Sequence, residues 1–393
     1  MSISIRSEFF FKTEIKNMYT LKKMKVLLIV WNFYPNTAYT NHTKATVRGF
    51  RESGAQCDVF SIKPLSKAED VALNNEFTGT KSFLKTAAGM LYNFGRLTRI
   101  AKRYDVIYCT TSNLRVMKCL LKFARKNNKI IVHERTEYPD VFMSANCSQM
   151  KKYCKLVEQF DKVFVISTFI KKFFVDRGVA ESKLQVYPMI VDPNRFAGIE
   201  KQNVGYRYIA YCGNLQNSKD GVADLIEAFG TSQNAKNNFI LVLIGEKPSS
   251  DEMTIYETMI SKYSLTDKVV FAGQIQHYDM PQMLKNADIL ALCRPANHQA
   301  EGGFPTKLGE YLSTANPVLV TNVGDMGLYI KDGINGYVSQ ADKISMFRDK
   351  LDYIVTHYEE AIQVGVRGKE LVYSVFNYKV QTNIVLQSLK TLK

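Results

Sequence analysis

The chain has 393 residues, 46% apolar and 23% charged, with a formal net charge of +15. That length exceeds what one hydrophobic core usually serves, so two domains are expected, and no apolar run approaches the length of a membrane-spanning helix. Seven cysteines and five histidines are scattered with no CxxC or HExxH spacing, which argues against a disulfide framework, a zinc site or metal-dependent chemistry.

Residues 1–23, MSISIRSEFFFKTEIKNMYTLKK, have neither a sustained apolar segment nor a small-residue cleavage site. They read as an extension rather than a signal peptide. From Met24 onward strands and helices alternate. KVLLIV (25–30) is a strand, TKATVRGFRESG (43–54) a helix closed by Gly54, and CDVFSI (57–62) a second strand. The turn between the first two, WNFYPNTAYTNHT (31–43), holds no glycine, which counts against a conventional dinucleotide site.

Two amphipathic helices are expected over 81–103 and 113–127. In the first, Leu84, Ala87, Leu91, Phe94 and Leu97 fall near one face, with Lys85, Arg96, Arg99, Lys102 and Arg103 beside or opposite it. Lys81 to Lys129 contains twelve Lys/Arg against the single acid Asp105. Such a stretch calls for an anionic partner: a phospholipid face, a phosphate-bearing substrate or nucleic acid. Nucleic acid would bring aromatics interleaved with the basic residues or a known module, and neither is present.

VIYCT (106–110), IIVHE (130–134) and DKVFVIS (161–167) are further strands, and TFIKKFFVDRG (168–178) a helix ending on Gly178. This order predicts a doubly wound parallel sheet. His133, followed by Glu134 and Arg135, falls at the carboxyl edge, where open α/β sheets bind ligands. Two prolines interrupt the rhythm in 187–205. A second alternation follows: strands at 208–213, 239–245, 269–273, 288–293 and 317–321, helices between them, and a helical segment over 341–390.

Two stretches carry chemistry. GNLQNSKDG (213–221) ends a strand in a glycine turn with Lys219 just before a helix. EGGFPTKLGEYLSTANPVLVTNVGD (301–325) sets Gly302 and Gly303 ahead of a helix that Pro305 starts well and that buries Leu308, Tyr311 and Leu312. The glycines allow close backbone approach, and the helix N–H groups beyond them suit an anion.

These motifs together resemble the GT-B glycosyltransferases of retaining family 4, group 1, over residues 24–390. The resemblance implies two Rossmann-like domains facing across a cleft. An acceptor domain (24–190) would join a nucleotide-sugar donor domain (206–375) through 191–205, and a final helix (376–393) would pack back on the first domain. It implies that Lys219 neutralises the donor diphosphate, that Glu310 takes the ribose hydroxyls, and that His133 contacts the donor sugar near the reacting carbon. Gly213 and Asn214 belong to the phosphate turn, Gly273 and Ile275 to base recognition, and Glu134 and Arg135 to the acceptor. The chain departs from the family twice. Asn214 stands where an arginine is usual, with Arg294 the candidate substitute. Gly302 stands where the first of two paired glutamates is usual, Glu301 missing that register by one. Sugar hydroxyls would then fall to backbone at Gly303, Phe304, Thr306 and Lys307, or to Glu301. The family needs no metal or other cofactor. The implied partners are a UDP- or GDP-linked sugar, a glycan or polyprenyl-diphosphate-linked acceptor, and an anionic membrane surface met by 81–129. The implied place is the cytoplasmic face, in surface-polysaccharide synthesis. A nucleotide-sugar 2-epimerase and a catalytically impaired adaptor share this fold. GFPTKLGEYL and Lys219 favour transfer over epimerisation.

Overall fold

The computed structural model describes residues 23–33, 37–63, 87–142 and 147–392. Six strands build the first sheet: β1 (Lys25–Val30), β2 (Gln56–Ser61), β3 (Val106–Cys109), β4 (Ile130–Arg135), β5 (Lys162–Val165) and β6 (Leu184–Val186). All pair parallel in the order β2-β1-β3-β4-β5-β6. The second sheet has β7 (Tyr208–Cys212), β8 (Ile240–Ile244), β9 (Val269–Gly273), β10 (Ile289–Leu292), β11 (Val318–Asn322) and β12 (Tyr337–Gln340), in the order β12-β11-β10-β7-β8-β9. Helices cover both faces of a parallel sheet, so its strands bury every side chain and read as unbroken apolar runs. Val106, Ile107, Tyr108 and Cys109 of β3 are all buried completely. The expected two-domain α/β architecture is what the chain adopts. In each sheet the strand order reverses beside the first strand, and the crevice at that switch point is where such sheets hold ligands.

One boundary differs in a way that matters for the site. The first helix spans Ala38–Glu52, five residues earlier than its apolar pattern indicates. Thr37 caps it, its side-chain oxygen accepting from the Thr40 N–H at 3.2 Å, and a cap of this kind starts a helix that periodicity alone does not show. The turn residues Tyr39, Asn41 and His42 are therefore helical.

The basic stretch is carried by two helices on one side of the first sheet. Leu114–Lys126 is capped by Asn113 and buries Val116, Met117, Leu120, Leu121, Phe123 and Ala124. Arg115, Lys118, Lys122, Arg125 and Lys126 face outward, as do Arg99, Lys102 and Arg103 of Ala87–Ala101. Phe94 and Leu97 of that helix pack into the core. Lys81, Leu84, Lys85, the side chains of Ala87 and Leu91, and the extension 1–22 lie outside the described residues.

The chain crosses between the domains twice, side by side. The Val191 N–H bonds the Phe376 carbonyl at 2.8 Å, and the Tyr378 N–H bonds the Val191 carbonyl at 3.1 Å. The last helix, Tyr378–Lys390, then lies on Ala38–Glu52 of the first domain. Thr382 fills the space over Gly49, and Tyr378 donates to Glu52 at 2.9 Å. Val385, Leu386 and Leu389 join Val47 and Phe50 in one cluster, each such burial contributing about 1.5–3 kcal/mol.

Candidate active site

A cleft of about 770 Å³ runs between the carboxyl edges of the two sheets. The helix after β1 lines it with Tyr39, His42, Lys44 and Arg48, and the segment after β4 with Thr136 and Glu137. Across from them stand Gly213, Asn214, Lys219 and Asp220 after β7, Ile275 after β9, and Arg294 after β10. Gly303, Phe304, Thr306, Lys307 and Glu310 complete that wall. Lys219 and Asp220 sit in the one-turn helix Asn217–Asp220, which Gly221 ends at φ 64° and ψ 43°. A side chain at 221 would strike the Cys293 carbonyl as well as straining the backbone. This turn fixes both charged residues against the strand edge.

Asp220 is the centre of the site's electrostatics. It is 3% exposed and accepts from Lys307 Nζ at 2.7 Å and the Tyr211 hydroxyl at 2.8 Å. Arg294 Nε approaches its other oxygen at 3.5 Å. Burial alone would raise this carboxyl; Lys307, followed by Arg294, reverses that and holds it below the usual range. Burial lowers the pKa of Lys307 and of Arg294, with Asp220 opposing in both cases. Two buried cations thus share one carboxylate, and the net positive charge faces the cleft. Gly213 belongs to the same arrangement, because a Cβ there would collide with Lys307 Nζ.

Lys219 reaches across the cleft to Glu137 Oε1 at 3.1 Å. Glu310, at the far wall, is ion-paired with Arg195, which also donates to the His277 carbonyl at 2.9 Å. Burial, then Arg195, lowers the His277 pKa.

Six of the expected site residues are not on the cleft wall. His133 is completely buried. Its Nδ1 donates to the Cys109 carbonyl and its Nε2 accepts from the Tyr153 hydroxyl, both at 2.8 Å. The ring lies on Phe160, 5.0 Å between centroids. Burial first, then Arg135, pushes its pKa down to about 3. It is a neutral core histidine with both nitrogens satisfied, so the expectation that it touches a donor sugar is corrected. Glu134, 5% exposed, accepts from His42 Nε2 at 2.6 Å, so His42 is the histidine that stands in the cleft. Arg135 is 7% exposed and turns toward the Glu137 carbonyl at 3.4 Å. Neither residue reaches the cleft as an acceptor contact. The Gly273 carbonyl accepts the Gly245 N–H at 3.0 Å, leaving Ile275 as the cleft residue of that pair.

Gly302 has a steric cause. A Cβ at this position would run into the Tyr138 ring of the first domain, and the Gly302 carbonyl accepts from Ser167 at 2.5 Å. A glutamate therefore has no room at 302. Nor does Glu301 replace it. Its charge lies beside the Tyr138 phenol, whose pKa is pushed up to about 12 by burial first and by Glu301 next.

His42, Glu137, Arg195 and Asp220 are cleft residues that sequence reasoning missed. Asp220 stood inside a motif already singled out, next to Lys219. The glycine-free turn hid His42, and the proline-rich connection hid Arg195. Glu137 gave no signal, since its partners Lys219 and Gln299 come from the other domain.

Residues 194–371 match the family described as glycosyl transferases group 1. The uncharacterized glycosyltransferase YqgM of Bacillus subtilis (strain 168) is 21% identical over 319 residues, 75% of this chain and 85% of its own length. Anabaena Alr3699/HepE, solved with UDP, superposes with a TM-score of 0.75 at 16% identity, covering 94% of this chain and 100% of that one. A glycosyltransferase from Rickettsia africae ESF-5 superposes with a TM-score of 0.77 at 14% identity, covering 94% and 99%. Those two likenesses show the fold, two facing α/β domains of GT-B type. With the family match over the half that carries Lys219, Lys307 and Glu310, they place this chain among the group 1 glycosyl transferases, as a glycosyltransferase.

Proposed function

We propose that the chain transfers a sugar from a UDP- or GDP-linked donor to a glycan or polyprenyl-diphosphate-linked acceptor, with retention of configuration, in surface-polysaccharide synthesis. The carrying observation is the cluster of Lys219, Arg294 and Lys307 around the Gly213 turn, with Glu310 on the same wall. A nucleotide-sugar donor leaves as a diphosphate, and cations preorganised in a water-poor cleft lower the barrier to that departure. HepE has been solved with UDP and with UDP-glucose. TarM, a more distant neighbour with a TM-score of 0.57, has been solved with UDP, Fondaparinux and α-GlcNAc-glycerol.

In this mechanism the bond from the sugar carbon to the phosphate oxygen breaks, and its electron pair stays on the diphosphate. Lys307 and Arg294 neutralise that charge from beneath, and Lys219 from the rim. The acceptor hydroxyl attacks on the face the phosphate leaves and gives its proton to the departing phosphate oxygen, so configuration is retained. No metal enters the scheme; the chain's own cations and its positioning of the two substrates supply the catalysis.

Glu310 is the proposed ribose contact. Glu310→Gln keeps the shape and weakens a charge-assisted bond, so affinity for the bare nucleotide should fall by roughly 1.5–3 kcal/mol. Isothermal titration with UDP and with GDP measures it, and undiminished binding would leave Glu310 only its ion pair with Arg195.

The acceptor side is proposed to meet an anionic membrane through Arg99, Lys102, Arg103, Lys118, Lys122 and Lys126. Among the described residues no helix is long and apolar enough to cross a membrane, and the apolar sides of both basic helices pack inward. Attachment is therefore electrostatic, about 1 kcal/mol per basic residue near an anionic leaflet before screening. Co-sedimentation with liposomes should require anionic lipid and fall steeply with salt. It should weaken when Arg99, Lys102, Arg103, Lys122 and Lys126 become Ser. Equal binding to neutral vesicles would overturn the proposal.

A further inference from the structure

Glu137 belongs to the first domain, two residues beyond β4, yet its carboxylate is held by the second. Oε1 accepts from Lys219 Nζ at 3.1 Å and Oε2 from Gln299 Nε2 at 3.2 Å. It lines the same cleft as Arg294 and Lys307, and its charge is one of those that oppose the effect of burial on Arg294. The backbone that carries it is pinned. The next residue, Tyr138, stacks its ring on His298 with centroids 4.0 Å apart and planes parallel, and covers Gly302, where no side chain fits. One residue further on, Asp140 meets His298 at 3.1 Å across the same boundary. Glu137 is therefore fixed in the cleft at the point where the second domain can supply no carboxylate of its own.

The other carboxylates of that wall are already committed. Asp220 is shared between Lys307, Arg294 and Tyr211, and Glu310 is paired with Arg195. Glu137 depends on Lys219, a half-buried cation that also faces the anionic part of a donor. A diphosphate carries more charge than a carboxylate and outcompetes it for Lys219. Once displaced, a carboxylate in a partly desolvated cleft needs new donors. A sugar is a dense array of hydroxyl donors, and the diphosphate would bring it to this place.

We propose that Glu137 reads the donor's sugar: on donor binding it yields Lys219 to the diphosphate and, still held by Gln299, accepts hydrogen bonds from the sugar hydroxyls. The inference rests on the nucleotide-sugar reading above and assigns the recognition of the donor's sugar to the opposite domain. A site built to hydrogen-bond a hydroxyl strongly rejects an analogue that lacks it or presents it wrongly, so Glu137 sets which epimer is used.

The test compares the unaltered protein with Glu137→Gln. Titration uses bare UDP and GDP, then UDP-glucose, its epimer UDP-galactose, and GDP-mannose. Donor hydrolysis is followed alongside. The variant should bind the bare diphosphates as well as the unaltered protein does, or up to ~10-fold tighter, because a competing anion has gone. Its preference for one sugar nucleotide over the epimer, and its hydrolysis of the preferred donor, should fall by ~10-fold or more. If affinity for the bare diphosphates drops in step with that for the sugar nucleotides, Glu137 supports the phosphate site and the proposal is wrong. If epimer preference is unchanged, it is wrong as well. Failure of the unaltered protein to bind any of these compounds would bring down the nucleotide-sugar reading, and this inference with it. Binding that is indifferent to the substitution overturns the inference alone.

Discussion

Lys307→Met is expected to lower turnover by ~10²–10³-fold, the scale for losing one preorganised group that stabilises developing charge. Methionine keeps the unbranched stem in place while removing the ammonium. The effect should exceed that of Lys219→Ala, expected near ~10²-fold, for a reason visible in the geometry. Lys219 stands at the rim and is tied to Glu137 until a donor arrives. Lys307 lies beneath the Gly213 turn, where a side chain at 213 would collide with it, and it is oriented by Asp220 and Tyr211 at 2.7 and 2.9 Å. A cation already oriented and poorly hydrated loses little on meeting its ligand. Both effects should appear in kcat more than in KM, because the charge on the leaving phosphate grows toward the transition state. Steady-state donor hydrolysis measures them. A Lys307 variant with full turnover would remove the cation cluster from the mechanism.

What could be read from the sequence divides along a physical line. Strands buried on both faces are unbroken apolar runs, so β1, β3, β7, β8 and β11 could be placed to within a residue or two, and their alternation with helices dictated the two parallel sheets. GNLQNSKDG and GFPTKLGEYL placed Gly213, Lys219, Lys307 and Glu310 on one wall, because each motif is local and sits at a strand end. Contacts between domains are not local, and they decided what the sequence could not. The Tyr138 ring against Gly302, Glu137 on Lys219 and Ser167 on Gly302 join residues 82 to 164 positions apart. His133 misled for a related reason. It ends a strand at the correct edge, but whether such a side chain points into a cleft or into the core depends on Tyr153 and Phe160, which come from later elements. His42 was hidden by a cap rather than by distance, since Thr37 starts the helix ahead of its apolar pattern.

Asp220→Ala should be the most destabilising change at the site. Asp220 is 3% exposed between Lys307 and Arg294, themselves half-buried and 4% exposed. Removing one member of a buried ionic group costs ~3–5 kcal/mol, because the remaining charge keeps its desolvation penalty and loses its compensation. Here two cations would be left facing each other. The loss should depend on pH in one direction. The folded protein holds the Asp220 carboxyl below the usual range despite its burial, through Lys307 and Arg294, so the native state binds this proton less readily than the unfolded chain does. Its contribution is then fully present above the unfolded carboxylate pKa, about 3.9, and declines as pH falls through the lower native value. The difference between the unaltered protein and Asp220→Ala should be nearly constant from pH 7 to 5 and should shrink below about pH 4. The only tryptophan, Trp31, lies in the first domain and is badly placed to report on this one. Guanidinium unfolding is therefore best followed by far-ultraviolet circular dichroism, with the second-domain transition fitted separately. Asp220→Asn adds a control, since it keeps the shape and the Tyr211 contact but not the charge. If either variant matched the unaltered protein at pH 7, the buried carboxylate would not be what holds Lys307 and Arg294 in place. A difference that stayed the same at pH 3 would mean that cavity formation, rather than charge, sets the cost.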